Sequence, residues 1–339
     1  MNAVSEVVEA LHSPEAYDEE VTAVEMVQTH ISFVFLTDRY VYKVKKPVDF
    51  GFLDYTTLEK RRYFCEEEIR RNRPLCGDMY LGVVAINRDS AGRIRIGGEG
   101  EVVEYAVKMK RMPEERMMTR LLERGEVTEG HVDRIAALLS DFHAKAETGP
   151  GVDEYGSLEQ VRANWVQNFE QTRGLRGKLL DAAEFDLVER RVMDFMEESK
   201  GLFEERVRGG RIRQCHGDVH SGNIFILPDG GIYIFDAIEF YRGFSCCDVA
   251  SEVAFLAMDL EFQGRSDLAR HFIERYVGYS GDEALKGLLD FYKCYRAYVR
   301  AKVIGFKIFD PAVDEEEKKK SEELTVKYFN LARRYASRL

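Results

Sequence analysis

Residues 31–36 and 40–45 are β-branched and aromatic runs separated by Thr37-Asp38-Arg39, a pattern that predicts a hairpin. Over 58–73, Leu58, Cys65 and Ile69 recur at helical spacing among charged residues, and Pro74 follows, so one amphipathic helix is expected there. A short apolar run at 81–86, and 93–96 and 102–109 on either side of Gly97-Gly98-Glu99-Gly100, read as further strands. From Glu114 onward the period changes to long helices at 132–145, 158–171, 185–198 and most of 268–339, broken by one strand-like island at 224–235. These patterns predict an α+β, two-lobed protein. Its parts are a small antiparallel-sheet lobe with one inserted helix (1–110), a hinge (111–115) and a large, mainly helical lobe (116–339), with a cleft between the lobes.

Composition narrows the function classes. With 339 residues, 45% of them hydrophobic and 32% charged, the chain can bury a core, and its length suits about two domains. A net charge of −11 argues against a broad phosphate-tracking surface, so no nucleic-acid partner is expected. The first eleven residues lack the features of a signal peptide and no apolar run is long enough to span a bilayer, which points to a cytoplasmic protein without a membrane partner. The six cysteines form no C-x-x-C pair and two are adjacent, so they read as reduced thiols. The run Glu315 to Lys320 reads as a solvated helix face. Oligomeric state is left open.

The candidate chemistry lies between 216 and 250. His216-Gly217-Asp218-Val219-His220-Ser221-Gly222-Asn223 leads into two four-residue strands around Pro228-Asp229-Gly230-Gly231, followed by Asp236. A four-residue turn would pair Leu227 with Ile232 and Ile224 with Phe235, placing Asn223 opposite Asp236 at a spacing of roughly 4.5 to 5.5 Å. An amide oxygen and a carboxylate at the end of a rigid hairpin suit Mg²⁺. Asp218 precedes Asn223 by five residues, the offset of the kinase loop H-R-D-x-x-x-x-N, in which the Asp accepts the proton of the attacking hydroxyl. His216 and His220 are expected to brace this loop. An alternative makes His216, Asp218 and His220 the ligands of a metal-dependent hydrolase, and another is a non-catalytic nucleotide-binding module. Asp248 is placed to cap the helical run that follows it, and Glu239 either faces substrate or is solvated.

The motif H-G-D-x-H-x-x-N, with Asp236, Gly243 and Asp248-Val249-Ala250, resembles that of the aminoglycoside phosphotransferase and choline kinase-like family, whose fold looks like that of eukaryotic protein kinases. Residues 138–143, ending in Phe142-His143, are similar to the helix preceding the family's substrate region. The resemblance implies a hinge at Lys110, Arg111 and Met112 whose backbone meets adenine. It also implies a phosphate-binding lysine, Lys43 or its neighbour Lys45, paired with Glu68 on the inserted helix. No G-x-G-x-x-G lies at the short turn 37–39, so backbone or Ser32 would cover the phosphates. The string 45–54 looks like that of a bacterial branch in which some longer chains add a P-loop kinase domain; Gly174-Leu175-Arg176-Gly177-Lys178-Leu179 is a poor match to such a loop. The implied activity is Mg²⁺-dependent transfer of the γ-phosphoryl group of ATP or GTP to a hydroxyl of a small-molecule acceptor, cationic or aminoglycoside-like in view of the acidic chain.

Overall fold

The computed structural model describes residues 3–311 and 313–339; Met1 and Asn2, in the expected first lobe, and Ala312, in the second, lie outside them. Contacts divide the chain into two compact units, the first made of Met1–Arg120 with Asn223–Ser245 and the second of Leu121–Gly222 with Cys246–Leu339.

In the first unit, β1 (Glu25–Gln28), β2 (Ser32–Leu36), β3 (Tyr40–Lys45), β4 (Tyr80–Arg88), β5 (Ile94–Ile96) and β6 (Glu101–Lys110) form one antiparallel sheet in the order β1-β2-β3-β6-β4-β5. The hairpin expected over 31–45 is β2 and β3. The edge strand β1 escaped the sequence pattern because its four residues are mostly exposed and show no alternation. Its presence moves the turn of interest. Ser32 pairs with Lys45 and Leu36 with Val41, so the 29–31 turn lies at the Lys45 end of the sheet and 37–39 at the far end.

The twofold period of β3 sorts its side chains. Tyr42 and Val44 join Phe35, Ile86, Ile96 and Ala106 under α1 (Ala3–Leu11), which contributes Val7 and Leu11. On the opposite face Val41 packs against a cluster in which Cys65, Ile69 and Cys76 of α2 (Leu58–Cys76) join Val107, Met109 and Tyr80. Lys43 and Lys45 share that second face. Thr57 caps α2 by accepting from the Lys60 amide. The helix continues past its expected end, accommodating Pro74 in its last turn, and stops at Gly77, whose φ of +51° few other residues adopt.

The strand-like island is the hairpin β8 (Ile224–Ile226) and β9 (Ile232–Ile234), followed by the short helix α9 (Arg242–Ser245); both belong to the first unit. Its register differs by one residue from the expected one. Ile224 pairs with Ile234 and Phe225 with Tyr233, and the Phe235 amide donates to the Asn223 carbonyl at 3.0 Å, so Asn223 opposes Phe235, not Asp236. The cause is the turn. The Leu227 amide donates to the Gly231 carbonyl at 2.8 Å, and Gly230, at φ +91°, supplies the left-handed residue of a three-residue loop.

The second unit is helical, from the end of α3 (Met118–Glu123) through α4 (Glu129–Lys145), α5 (Pro150–Asp153), α6 (Leu158–Thr172), α7 (Ala182–Glu198), α8 (Lys200–Arg208), α10 (Val249–Phe262), α11 (Ser266–Ser280), α12 (Leu289–Phe306) and α13 (Glu315–Ala336). A two-stranded ribbon of β7 (Ile212–Gln214) and β10 (Cys246–Asp248) accompanies them. Every residue of α10 from Val249 to Leu260 is buried, and α10 packs on both α11 and α12. Beside it, Trp165 stacks on Phe169 and meets Tyr298 and Phe291 edge-on. No helix of the described residues is long and apolar enough to cross a membrane, and all six cysteines are free thiols.

Candidate active site

In the first unit, charge gathers on the face of β3 that looks toward α2. Lys43 Nζ lies 2.9 Å from Glu68 Oε1 and 2.7 Å from Asp236 Oδ1. Lys45 Nζ lies 2.8 Å from Glu68 Oε2 and 2.5 Å from Glu239 Oε1, and Tyr55 donates to that same Glu239 oxygen at 2.8 Å. One carboxylate therefore holds both lysines, one on each oxygen. Burial alone would raise the Glu68 carboxyl, but the two ammonium groups hold it below its ordinary range. Burial disfavours both lysine charges, yet the carboxylates facing them push both pKa values up, so Lys43 and Lys45 are cations at neutral pH.

The two lysines differ in exposure. The Lys45 and Glu239 side chains are buried, and Lys45 is committed to Glu68, Glu239 and Tyr55, so the structure presents neither Lys45 to a nucleotide nor Glu239 to a substrate. Lys43 is paired with Asp236, whose side chain is 48% exposed. Ser32, the other residue considered for the phosphates, is fully buried at the start of β2.

Asp236 takes φ +65°, the one positive φ among described non-glycine residues. That turn breaks the strand alternation after β9 and lets its carboxylate reach Lys43 despite the shifted register. The segment is fixed by one face of α2. Cys76 Sγ donates to the Ile234 carbonyl at 2.8 Å, Asn72 Oδ1 accepts from the Ala237 amide at 2.8 Å, and Glu68 holds Lys43. These residues are four apart, so they line one side of the helix. The Tyr80 hydroxyl also accepts from the Asp236 amide at 3.3 Å.

Asp236 Oδ2 makes no hydrogen bond within the described residues. A half-exposed carboxylate oxygen and the Asn223 amide, at the mouth of the same hairpin, are hard donors that fit Mg²⁺ completed by water and phosphate oxygens. At the expected hinge, the Lys110 amide donates to the Met79 carbonyl and the Arg111 amide to the Arg39 carbonyl, both at 2.9 Å. The Lys110 and Arg111 side chains are also engaged, on Asp78 and on the Thr37 carbonyl. The Met112 amide has no acceptor among the described residues, and its side chain packs against the apolar cluster that contains Met109 and Phe225.

In the second unit, the loop 215–222 lies along α10. The Glu252 carboxylate accepts from the His216 amide at 3.2 Å and the Gly217 amide at 2.6 Å, and seven residues on Asp259 accepts from the Ser221 amide at 2.8 Å. Phe255, between them, meets the His220 ring at 5.5 Å. From α12, Arg296 donates to the Gly217 carbonyl at 3.1 Å. Glu252 also takes Nε2 of His143 at 2.7 Å, whose Nδ1 lies 2.7 Å from the Tyr276 hydroxyl. Burial opposes the Glu252 charge, but the hydrogen bond and charge of His143, helped by His216 and the Gly217 amide, bring its pKa down to about 2.

The expected loop braces are present in altered form. His216 Nδ1 accepts from the Asp218 amide at 3.2 Å, and His220 Nδ1 accepts from the Gly222 amide at 3.1 Å. Asp248 caps α10 through the Ala250 amide and forms a bidentate pair with buried Arg206; it supports the loop indirectly, through α10, which carries Glu252, and through the pairing of β10 with β7, which leads into the loop. His220 Nε2 stands 3.6 Å from Asp218 Oδ2. Desolvation would raise the Asp218 carboxyl, but the charges of His220, Arg300 and His216 hold it well below the usual carboxylate range.

His216, Asp218 and His220 do not form the ligand cluster that the hydrolase reading needs. Among the described residues, the three metal-ligand types that converge are His143, Cys215 and Glu252, and there His143 and Glu252 are hydrogen-bonded to each other. The loop 174–179 is no phosphate cradle either. The Lys178, Leu179 and Leu180 amides all donate to the Leu175 carbonyl. Sequence reasoning missed Glu252, Asp259, Arg296 and Arg300. Their signal is carboxylates seven apart in a largely apolar helix and arginines four apart in α12.

No protein-family model matches the chain. Uncharacterised proteins of Mycobacterium tuberculosis and Mycobacterium bovis are 34% identical to it over 280 residues, 83% of this chain and 54% of theirs. The chain thus spans about half the length of these curated relatives. Among solved structures, a choline/ethanolamine kinase family protein from Mesorhizobium loti matches with a TM-score of 0.50 and 11% identity over 98% of this chain and 99% of that one. A Plasmodium vivax ethanolamine kinase gives 0.48 and 13% over 91% and 83%, and a protein from Ralstonia eutropha assigned as an aminoglycoside phosphotransferase gives 0.46 and 12% over 98% of each chain. At 11% identity the first match establishes the fold. The chain is folded as that kinase family protein is, in line with the resemblance in its sequence.

Proposed function

We propose that the chain is a Mg²⁺-dependent phosphotransferase that moves the γ-phosphoryl group of ATP or GTP to a hydroxyl of a small molecule. The observation that carries this reading is Lys43, held between Glu68 and half-exposed Asp236. A cation kept extended by one carboxylate beside a second carboxylate suited to a divalent ion is an arrangement for polyphosphate. Lys43 binds the phosphates, Asn223 and Asp236 hold the metal, and the Met112 amide meets the purine edge. The ion, when bound, neutralises charge on the transferred group.

Asp218 supplies the acceptor side. A carboxyl held below its ordinary range is an anion at neutral pH and a weak base. It orients the hydroxyl by accepting its hydrogen bond and takes the proton late, as suits a loose phosphoryl-transfer transition state. The loop contacts from Glu252, Asp259 and Arg296 hold that carboxylate in place by its backbone.

The test is thermal unfolding with saturating ATP·Mg²⁺ or GTP·Mg²⁺ on the wild type, Asp236→Asn and Asp218→Asn, together with an assay of phosphoryl transfer. Stabilisation in the wild type and Asp218→Asn but not in Asp236→Asn, with transfer lost in both variants, is expected. Stabilisation without any transfer by the wild type would favour the non-catalytic nucleotide-binding reading.

A further inference from the structure

Beyond the contacts that hold the loop, one cation of the second unit forms no ion pair among the described residues. Arg296, which grips the Gly217 carbonyl, is followed one helical turn later by Arg300 on the same side of α12. The Arg300 guanidinium lies 5.8 Å from the centre of the Tyr328 ring. Tyr328 in turn stacks on Phe262 at 3.9 Å and 4°, and Phe262 is three residues beyond Asp259, the acceptor for Ser221. Arg300 thus belongs to α12, which with α10 grips the Asp218 loop, and faces α13 through Tyr328, which packs on the end of α10. It is half-buried, its polar partner is the neutral Tyr328 hydroxyl, and among the described residues no carboxylate forms an ion pair with it.

A partly desolvated guanidinium is usually paired, and its planar fork matches an oxyanion in two-point contact. Arg300 lies one turn along α12 from Arg296, whose guanidinium holds the Gly217 carbonyl next to Asp218 at 3.1 Å, and its charge is among those that lower the Asp218 carboxyl. The arginine is therefore near the place where an acceptor hydroxyl must lie.

We propose that Arg300 binds an anionic group of the phosphoryl acceptor, so that the substrate is a small hydroxylated oxyanion, a carboxylate or a phosphate ester. This rests on the phosphotransferase reading above. The net charge of −11 suggested a cationic acceptor; the local charge beside Asp218 has the opposite sign and outweighs it at contact distance. In the transfer, the bond between the γ-phosphorus and the bridging oxygen breaks and the nucleoside diphosphate leaves with that electron pair. The acceptor oxygen forms the new bond to phosphorus, and its proton passes to Asp218. Arg300 holds the acceptor's anion and takes no part in the bond changes.

The experiment compares wild type, Arg300→Gln and Arg300→Lys, as full chains with ATP·Mg²⁺, on four probes: D-glycerate, glycerol 3-phosphate, glycerol and ethanolamine. In parallel, thermal unfolding is followed with inorganic phosphate while ATP·Mg²⁺ is kept saturating to fill the nucleotide's own phosphate site. Loss of a charge-assisted contact corresponds to about 10- to 100-fold in affinity. Arg300→Gln is expected to raise KM for the anionic probes by that factor with kcat changed far less, Arg300→Lys to recover part of it, and phosphate to stabilise wild type but not Arg300→Gln. Glycerate against glycerol 3-phosphate tells carboxylate from phosphate ester.

The proposal is overturned if Arg300→Gln lowers kcat equally on all probes and shifts the pH profile, since the arginine would then only tune Asp218. It is equally overturned if phosphate stabilises wild type and Arg300→Gln alike, whatever the turnover. Failure of the underlying reading looks different. Wild type would then gain no stability from ATP·Mg²⁺ or GTP·Mg²⁺ at all.

Discussion

The two neighbouring lysines of β3 make opposite predictions. Replacing Lys45 by methionine keeps the length of the side chain but leaves Glu239 with only the Tyr55 hydroxyl and removes one of the two partners of Glu68, at a position with no solvent access. Breaking a buried ion pair from one side costs roughly 3 to 5 kcal/mol. Lys43→Met leaves Glu68 its bond to Lys45, and half-exposed Asp236 can turn to water, so roughly 1 to 2 kcal/mol is expected. Ligand at about 100 times its dissociation constant adds about 2.7 kcal/mol of stability. Urea unfolding with and without ATP·Mg²⁺ therefore separates them. Lys45→Met should unfold at clearly lower urea yet keep the nucleotide increment, whereas Lys43→Met should lose most of the increment with a small change in its own midpoint. The reverse pattern, with Lys45→Met stable but blind to nucleotide and Lys43→Met responding as wild type, would refute the assignment of Lys43 to phosphate.

Three further outcomes are expected. Glu252 has a folded pKa of about 2 against an ordinary 4.5, so its contribution is present above pH 4.5 and is lost as pH falls toward 2. Glu252→Gln should be less stable at neutral pH by on the order of 3 kcal/mol and should show a flatter acid limb in urea midpoints taken across pH. Asp236→Ala should be less stable than Asp236→Asn by about 1 kcal/mol, because Asn adopts the left-handed conformation more readily, while both lose Mg²⁺-dependent nucleotide stabilisation; equal midpoints would argue against strain at φ +65°. Gly100→Ala, at φ +112° with a Cβ only 2.1 Å from the Arg88 carbonyl oxygen, should cost on the order of 3 kcal/mol or more, read as a fall in Tm.

Much of the fold could be read from residue pattern. The β2–β3 hairpin, α2 and the strands of the first third lie where alternation and helical spacing put them. Local periodicity could not reveal β1, an exposed edge strand. Nor could it count the residues of the 227–231 turn, where the left-handed φ of Gly230 shifts the partner of Asn223 by one. In the site, residue type and spacing picked out Asp218, Asn223 and Asp236, and the resemblance picked out Lys43 with Glu68. Burial separated Lys43 from Lys45, and burial depends on Tyr55 and Glu239, distant in sequence. The support from Glu252 and Asp259 was written in α10 as two acids on one side of an apolar helix, but only the folded chain shows that the acids face loop amides.

The division of the chain has a consequence for how the protein is made. The first unit recruits Asn223–Ser245 across an intervening stretch of the second. On the ribosome, the sheet and α2 emerge early, but the partners of Asn72, Cys76 and Lys43 in that unit, Ala237, Ile234 and Asp236, arrive only after Leu121–Gly222 has been synthesised. Until then the α2 face and two lysines sharing one buried glutamate wait with an unfinished side. No contiguous fragment ending near Arg120 contains a complete first unit, so dissection of this protein has to keep the hairpin, by a fused linker or by co-expression of 223–245.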